Sequence, residues 1–141
     1  MGKAAWLLQL IHEHVRLLEV KVEELGADKL VEDAFLLYAV LHALQVASQA
    51  PIGLAAHVAA EAGLGVPERY AALPELLASA GVLGRDEATT LRGIIGFRNI
   101  VVHGYASVSR QPVRGILAER MFRDLEELAL RVVEWARGVD P

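Results

Sequence analysis

The sequence has no cysteine, no excess of basic residues and almost no segment with the alternating pattern of a β-strand. The absence of cysteine excludes a disulfide scaffold. The chain carries 14 Lys and Arg against 18 Asp and Glu, a formal net charge of -4. Proteins that coat nucleic acid non-specifically normally carry a basic excess. The charge therefore argues against that class, although it leaves room for one small basic cleft.

Hydrophobic residues are abundant in this chain. They make up 54% of its 141 residues even though the 12 glycines are not counted, whereas soluble domains average about 45–50% with glycine included. The length predicts a single domain over residues 1–141 that buries about two thirds of its unfolded surface. One core of this size cannot hide so large an apolar share, and exposed apolar patches usually mark association surfaces. We therefore expect an oligomer or a permanent partner, and the composition excludes intrinsic disorder.

Two features bear on the location of the protein. The first ten residues carry a single Lys and no cleavage-like site, so no signal peptide is expected and the cytoplasm is the expected location. Residues 34–60, however, contain no Asp, Glu, Lys or Arg over 27 positions, a length that could span a bilayer. Polar residues interrupt this stretch, and Pro51 with Gly53 would break a helix at its centre. We therefore expect two buried helices rather than a membrane span.

The spacing of apolar residues at intervals of three and four throughout the chain predicts an all-α protein. We expect an up-and-down bundle of four long helices plus one or two short helices, mostly antiparallel because the connections are short. Glycine, proline and aspartate set most of the boundaries. The predicted helices run from near the N-terminus to Gly26, from Asp28 to Ala50, from Pro51 or Ile52 to Glu61, in one or two turns within 68–80, from Asp86 to His103, and from Pro112 to Arg137.

Residues 97–105 place a cation, an amide, an imidazole and a phenol close together in an otherwise apolar chain. Arg98 and His103 are five positions apart, about 140° around a regular helix. They share a site only if the helix ends near His103 or a second chain completes the cleft. Two interpretations stay open from the residues alone. In one, Arg98 pairs with a surface acid, His103 caps a helix C-terminus and Tyr105 packs its ring. In the other, Arg98 binds a phosphate and His103 moves protons at neutral pH, as metal-independent RNA cleavage requires.

The remaining histidines give weak signals for a metal site. His12 and His14 are two apart, so a helix would direct them to different faces. His42 and His57 lie on apolar segments, where we expect satisfied core or interface residues. No His-Glu-x-x-His run occurs, so the sequence predicts no metal site.

Two further pairs of residues lie in or beside this region. Gly93 and Gly96 fall inside a predicted helix, where small residues would let another helix approach closely. Arg110 and Arg114 follow the region, where they would either extend a basic cleft toward RNA or lie in a solvated loop.

The run from Arg98 to Tyr105 resembles the Arg-x-x-x-x-His-x-Tyr motif of HepT-like toxins, a branch of the HEPN superfamily of helical-bundle ribonucleases. The resemblance covers residues 34–105 and includes several shorter matches in order. These are Leu44-Gln45, residues 51–65, Pro67-Glu68-Arg69-Tyr70, residues 77–83, and Gly96-Phe97-Arg98-Asn99.

The resemblance implies an endoribonuclease without a metal or other cofactor. In such a protein, two subunits of a homodimer or higher oligomer would bring both copies of Arg98 and His103 into one cleft. His103 would activate the ribose 2′-hydroxyl or protonate the leaving 5′-oxygen, while Arg98 holds the scissile phosphate of the RNA. Asn99 would orient the phosphate or the imidazole. The expected products are a 2′,3′-cyclic phosphate and a 5′-hydroxyl.

The resemblance also implies a partner, a nucleotidyltransferase of the MNT type that acts as the antitoxin. By resemblance, Tyr105 is the residue that accepts adenylyl groups from this partner. Gly104 departs from the commoner pattern, in which an acidic residue precedes the tyrosine. Two other functions stay open: a noncatalytic helical subunit that presents nucleotide or substrate to a nucleotidyltransferase, and a structural oligomerisation bundle.

Overall fold

The structure of the chain is a computed structural model that describes residues 2–103 and 110–139. Within these two ranges the backbone forms α-helices and one 3₁₀ turn, and no strand. The elements are α1 (Gly2–Leu25), α2 (Ala27–Glu32), α3 (Ala34–Glu61), the 3₁₀ turn (Tyr70–Ala72), α4 (Leu73–Ser79), α5 (Arg85–His103), α6 (Arg110–Ala118) and α7 (Arg123–Val139).

The all-α prediction is confirmed, and α1, α3, α5 and α7 are the four long helices that it expected. Helix α3 lies at the centre and packs against α1, α5 and α7. Its sequence is apolar on most of its circumference, and Leu44, Ile52 and Leu54 are at most 1% exposed. A helix that is hydrophobic nearly all round needs neighbours on several sides. The central position of α3 follows from that need.

The predicted break at Pro51 is wrong, because α3 continues through it from Ala34 to Glu61. Proline in a helix interior removes one backbone donor and costs about 3 kcal/mol. Pro51 is itself buried, and its neighbours Ala50 and Ile52 are 4% and 0% exposed. We attribute the continuity of α3 to the burial of apolar side chains on both sides of Pro51, since each large side chain contributes about 1.5–3 kcal/mol.

The predicted start of this helix at Asp28 is also wrong. Gly26, with φ of 81°, ends α1, and the short helix α2 then turns at Asp33. Asp33 has extended backbone angles, and its Oδ1 accepts a hydrogen bond of 3.0 Å from the backbone N–H of Leu36. A helix begins most readily behind such a side-chain cap. Asp33, rather than Asp28, therefore supplies the cap of the long helix.

The last predicted helix, from Pro112 to Arg137, is in fact two helices separated by a corner at residues 119–122. Arg120 adopts a positive φ of 54° there, a conformation that side chains other than glycine rarely take. The guanidinium of Arg120 pairs with Glu19 and Glu23 of α1. Phe122 is 1% exposed just after the turn. These contacts stabilise the corner, so the chain does not continue as the single helix that the apolar spacing predicted.

Helix α3 is long and apolar enough to cross a membrane by length and composition alone. Over its most apolar 18-residue window, however, 56% of the residues are buried inside the protein. The central helix of a soluble bundle is buried in this way. The segment is therefore buried as expected, but it forms one helix and not the two that the sequence predicted.

Candidate functional site

Helix α5 carries Arg98 and Asn99. The sequence of the helix explains where it begins and which side of it is buried. The Oε1 of Glu87 accepts a hydrogen bond of 2.7 Å from the backbone N–H of Gly84. This is the reach-back contact of an acid three positions into a helix. Leu91 and Val101, each 0% exposed, anchor α5 on the core. Residues Arg85 to His103 therefore share one helix that is packed on the core.

Arg98 is half-buried and contacts two other elements of the fold and its own neighbour on α5. Its Nε donates a hydrogen bond of 2.6 Å to Oε1 of Gln49 on α3. Its terminal NH1 donates one of 2.9 Å to Oδ1 of Asn99. The guanidinium carbon lies 5.6 Å from the centre of the Tyr70 ring, which belongs to the 3₁₀ turn. This distance is within the range of cation–π attraction.

The positive charge of Arg98 is held by neutral groups. Among the described residues, no Asp or Glu forms a salt bridge with it. The interpretation of Arg98 as a surface ion-pair partner is therefore wrong for this part of the chain. A guanidinium that is oriented but not neutralised is suited to bind a phosphate through its planar set of donors.

The structure describes some of the other predicted site residues and not others. Asn99 is exposed, and its contact with Arg98 brings these two predicted residues together. The backbone of His103 belongs to the described part of α5. The His103 side chain, Gly104 and Tyr105 lie outside the described part, and their predicted roles stay predictions.

Sequence reasoning missed Gln49 and Tyr70 as neighbours of Arg98. Gln49 lies 49 positions away on α3, inside the stretch without charged residues, where nothing distinguished it from Gln45. Tyr70 belongs to the tetrapeptide Pro67-Glu68-Arg69-Tyr70, which contributed to the family resemblance. Nothing in the sequence indicated that its ring contacts Arg98. Only the packing of α3 and the 3₁₀ turn against α5 brings the three residues together.

The histidines outside the motif occupy separate places. His12 Nδ1 lies 2.7 Å from Oε2 of Glu126, and His14 Nδ1 lies 2.8 Å from the carbonyl oxygen of Leu10. His57 is half-buried, but His42 is exposed within the described chain and is not a core residue. No group of three or more His, Asp or Glu in the described ranges could hold a metal ion.

The two glycines of α5 and the two arginines of α6 differ from their sequence interpretations. A Cβ atom added at Gly93 or Gly96 would meet nothing within 4 Å, so no other helix packs closely on these glycines inside the described chain. Arg114 pairs with Asp28, and Arg110 donates to the backbone carbonyl oxygen of Glu32 at 3.4 Å. The two arginines thus dock α6 onto α2 instead of lying in a loop.

A cavity of about 280 Å³ lies beside the site, between α3, α5 and the corner that joins α6 to α7. Its lining is mainly apolar and includes Leu44, Ile94, Phe97 and Phe122. Arg98 does not line it. A phosphate would find few polar partners in such a cavity, so the candidate anion site is the surface around Arg98.

Comparison with known proteins identifies the family. The family described as ribonuclease HepT-like matches residues 11–132, which is most of the chain. The chain belongs to the HepT-like family. No curated protein matches it.

Solved structures show the same fold for this HepT-like chain. A tri-AMPylated HEPN toxin of Shewanella oneidensis, in complex with an MNT antitoxin, has a TM-score of 0.83 at 22% identity, over 95% of this chain and 98% of that one. A toxin–antitoxin structure with AMP-PNP has a TM-score of 0.81 at 20% identity, over 94% of this chain and 98% of that one. At these identities the likeness establishes the fold.

Proposed function

We propose that this HepT-like protein is a metal-independent endoribonuclease and the toxin of a toxin–antitoxin pair. The observation that carries the proposal is Arg98, whose charge is oriented by Gln49, Asn99 and Tyr70 and left without an acidic partner in the described chain. Membership of a ribonuclease family supports RNA as the anion. We place this activity in the cytoplasm, where both RNA and a partner that uses ATP occur. We assign it to a single domain that spans residues 1–141.

The proposed reaction is an internal transfer of the phosphate. The ribose 2′-oxygen attacks phosphorus while the bond to the 5′-oxygen breaks, which leaves a 2′,3′-cyclic phosphate and a 5′-hydroxyl. His103 takes the proton from the 2′-hydroxyl or gives one to the 5′-oxygen, as an imidazole with a pKa near neutrality can. Arg98 holds the phosphate and stabilises its developing charge, and Asn99 fixes the guanidinium through its amide oxygen.

A homodimer would complete this site. Arg98 and His103 point about 140° apart on a regular helix, so a second copy of α5 could supply the complementary residue. The chain also exposes large apolar side chains that one copy does not cover: Phe35 is 82% exposed and Trp6 is 61% exposed. Where such side chains form a patch, they usually mark an association surface. The second copy and the antitoxin would each cover such a surface.

The proposed antitoxin is an MNT-type nucleotidyltransferase that adenylylates Tyr105. The likeness to a tri-AMPylated toxin in complex with an MNT antitoxin supports this partner. An attached AMP would place an anionic phosphate two positions after His103 in the sequence, where it would occupy Arg98 and exclude RNA. Co-incubation with the partner and ATP is expected to add mass in steps of one AMP unit, whereas Tyr105→Phe stays unmodified. Mass addition to the phenylalanine variant would show that another residue is the acceptor.

Growth inhibition on induced expression tests the toxin proposal in cells. Arg98→Ala and His103→Ala are expected to remove the inhibition without loss of folded protein. Arg92→Ala is the matched control, because Arg92 is an exposed arginine on the same helix, and it should remain toxic. A fully toxic Arg98→Ala variant would contradict the proposal. Folded protein that inhibits growth only together with a nucleotidyltransferase would instead indicate the noncatalytic subunit.

A further inference from the structure

A hydrogen bond between two helices fixes the guanidinium of Arg98. Nε of Arg98 on α5 donates to Oε1 of Gln49 on α3 at 2.6 Å, and both side chains are half-buried. A short bond from a charged donor is stronger than one between neutral groups. Because α3 is the central helix of the bundle, the helix that carries the acceptor is held by α1, α5 and α7.

The contacts of Arg98 divide the donors of its guanidinium into two groups. The group has five N–H bonds in a planar fork. Gln49 takes the Nε–H, Asn99 takes one N–H of NH1, and the Tyr70 ring lies against the guanidinium. Within the described residues, one N–H of NH1 and both of NH2 have no further partner and remain for a ligand. The terminal nitrogens of a guanidinium can donate to two oxygens of one phosphate at once.

The chemistry of the acceptor matters as much as its position. A glutamate at position 49 would also accept the Nε–H, but its charge would neutralise the guanidinium. Glutamine orients the group and leaves its full charge for an anion. A leucine of similar size would remove the acceptor and leave the Nε–H unsatisfied in a half-buried place, which would let the side chain take other rotamers.

We propose that Gln49 is a positioning residue for Arg98, which it holds through Nε so that the terminal nitrogens stay available to the scissile phosphate. This inference rests on the proposed ribonuclease function. It makes Gln49 act through Arg98 and not on the substrate. The neighbouring Gln45, one turn earlier on α3 and also half-buried, is a matched control because it is the same residue type on the same helix.

The kinetic test compares Gln49→Leu and Gln45→Leu in two backgrounds, the wild type and Arg98→Lys. With Arg98 present, Gln49→Leu should lower kcat about 10- to 100-fold, the range expected for a hydrogen bond to a charged group. Gln45→Leu should change kcat less than about threefold. Lysine has no Nε–H in a fork, so Gln49→Leu should have almost no further effect in the Arg98→Lys background. A loss of similar size in both backgrounds would overturn the inference, and so would an unchanged kcat.

A spectroscopic test decides the same point without catalysis. In ¹⁵N-labelled protein, the Nε–H resonance of Arg98 should be visible and protected from exchange in the wild type and in Gln45→Leu. It should be lost or shifted to the position of a free arginine in Gln49→Leu, while the melting temperature shows that the variant is folded. An unchanged resonance in Gln49→Leu would overturn the positioning role even if RNA cleavage is found. A wild type that fails to cleave RNA would overturn the proposed function, while this resonance still reports on Gln49.

Discussion

Replacing Glu19 with glutamine should destabilise the protein at neutral pH. The carboxylate lies on α1 and binds the corner between α6 and α7. One oxygen accepts a 2.6 Å hydrogen bond from Nε of Arg123, and the other contacts Arg120. The bond from Arg123 and the neighbouring Arg120 lower the pKa of the Glu19 carboxyl from 4.5 to about 2, against the opposing effect of burial. Glu19→Gln keeps the size of the side chain and removes its charge.

The magnitude follows from this pKa difference between the folded and unfolded states. A shift of this size corresponds to about 3 kcal/mol at neutral pH. The Glu19 side chain is 21% exposed and Arg123 is 56% exposed, so solvent screens part of the interaction. We expect the free energy of unfolding to fall by about 1–2 kcal/mol. Because the folded-state pKa is depressed, this stabilisation is present above pH 4.5 and is lost as the pH falls toward 2.

Urea unfolding of the wild type and Glu19→Gln at about pH 7 and about pH 2.5 measures the effect. The two proteins should differ at the higher pH, and the difference should shrink to about a quarter at the lower one, which is just above the folded-state pKa. Glu24→Gln is the control, because Glu24 forms an exposed ion pair with Lys21 on the same helix, and such pairs contribute about 0–1 kcal/mol. Equal stability of the wild type and Glu19→Gln at neutral pH would refute the proposed link. A difference that does not change with pH would refute its electrostatic origin.

Two further substitutions test the packing, and urea unfolding measures both. Asp33→Ala should lower the free energy of unfolding by about 0.5–2 kcal/mol, because it removes the cap that accepts from the N–H of Leu36; an unchanged midpoint would show that α3 does not need this cap. Phe122→Ala should lower it by about 3–5 kcal/mol, because the ring is 1% exposed beside an existing cavity; a change below about 1 kcal/mol would mean that the corner collapses around the missing ring.

The helices that the sequence predicted best are those whose apolar spacing agrees with their boundary residues. Helix α5 starts at Arg85, one residue before the predicted Asp86, and its described part extends to His103. The errors at Pro51 and at residues 119–122 have one physical cause. Sequence rules consider only neighbouring residues. The helix continues through Pro51 because the side chains around it are buried. The corner at residues 119–122 depends on Glu19, which lies about a hundred positions away from Arg120 in the sequence.

The candidate site was predictable only in its local part. Arg98 and Asn99 are adjacent in the sequence, so their common chemistry could be read from the motif. Gln49 and Tyr70 reach Arg98 through the packing of other elements. An uncharged glutamine on an apolar helix carries no sign of this role in a single sequence, because its significance comes from the cation placed opposite it.

Cleavage of a single-stranded RNA by the purified protein in EDTA is the most direct measurement. The wild type and Arg92→Ala should cleave without added metal and leave 2′,3′-cyclic phosphate ends. Arg98→Ala should be slower by about 10²–10³-fold, as expected for loss of a group that stabilises developing charge. Cleavage by Arg98→Ala at the wild-type rate, or wild-type cleavage that stops in EDTA, would contradict a metal-independent ribonuclease that works through Arg98.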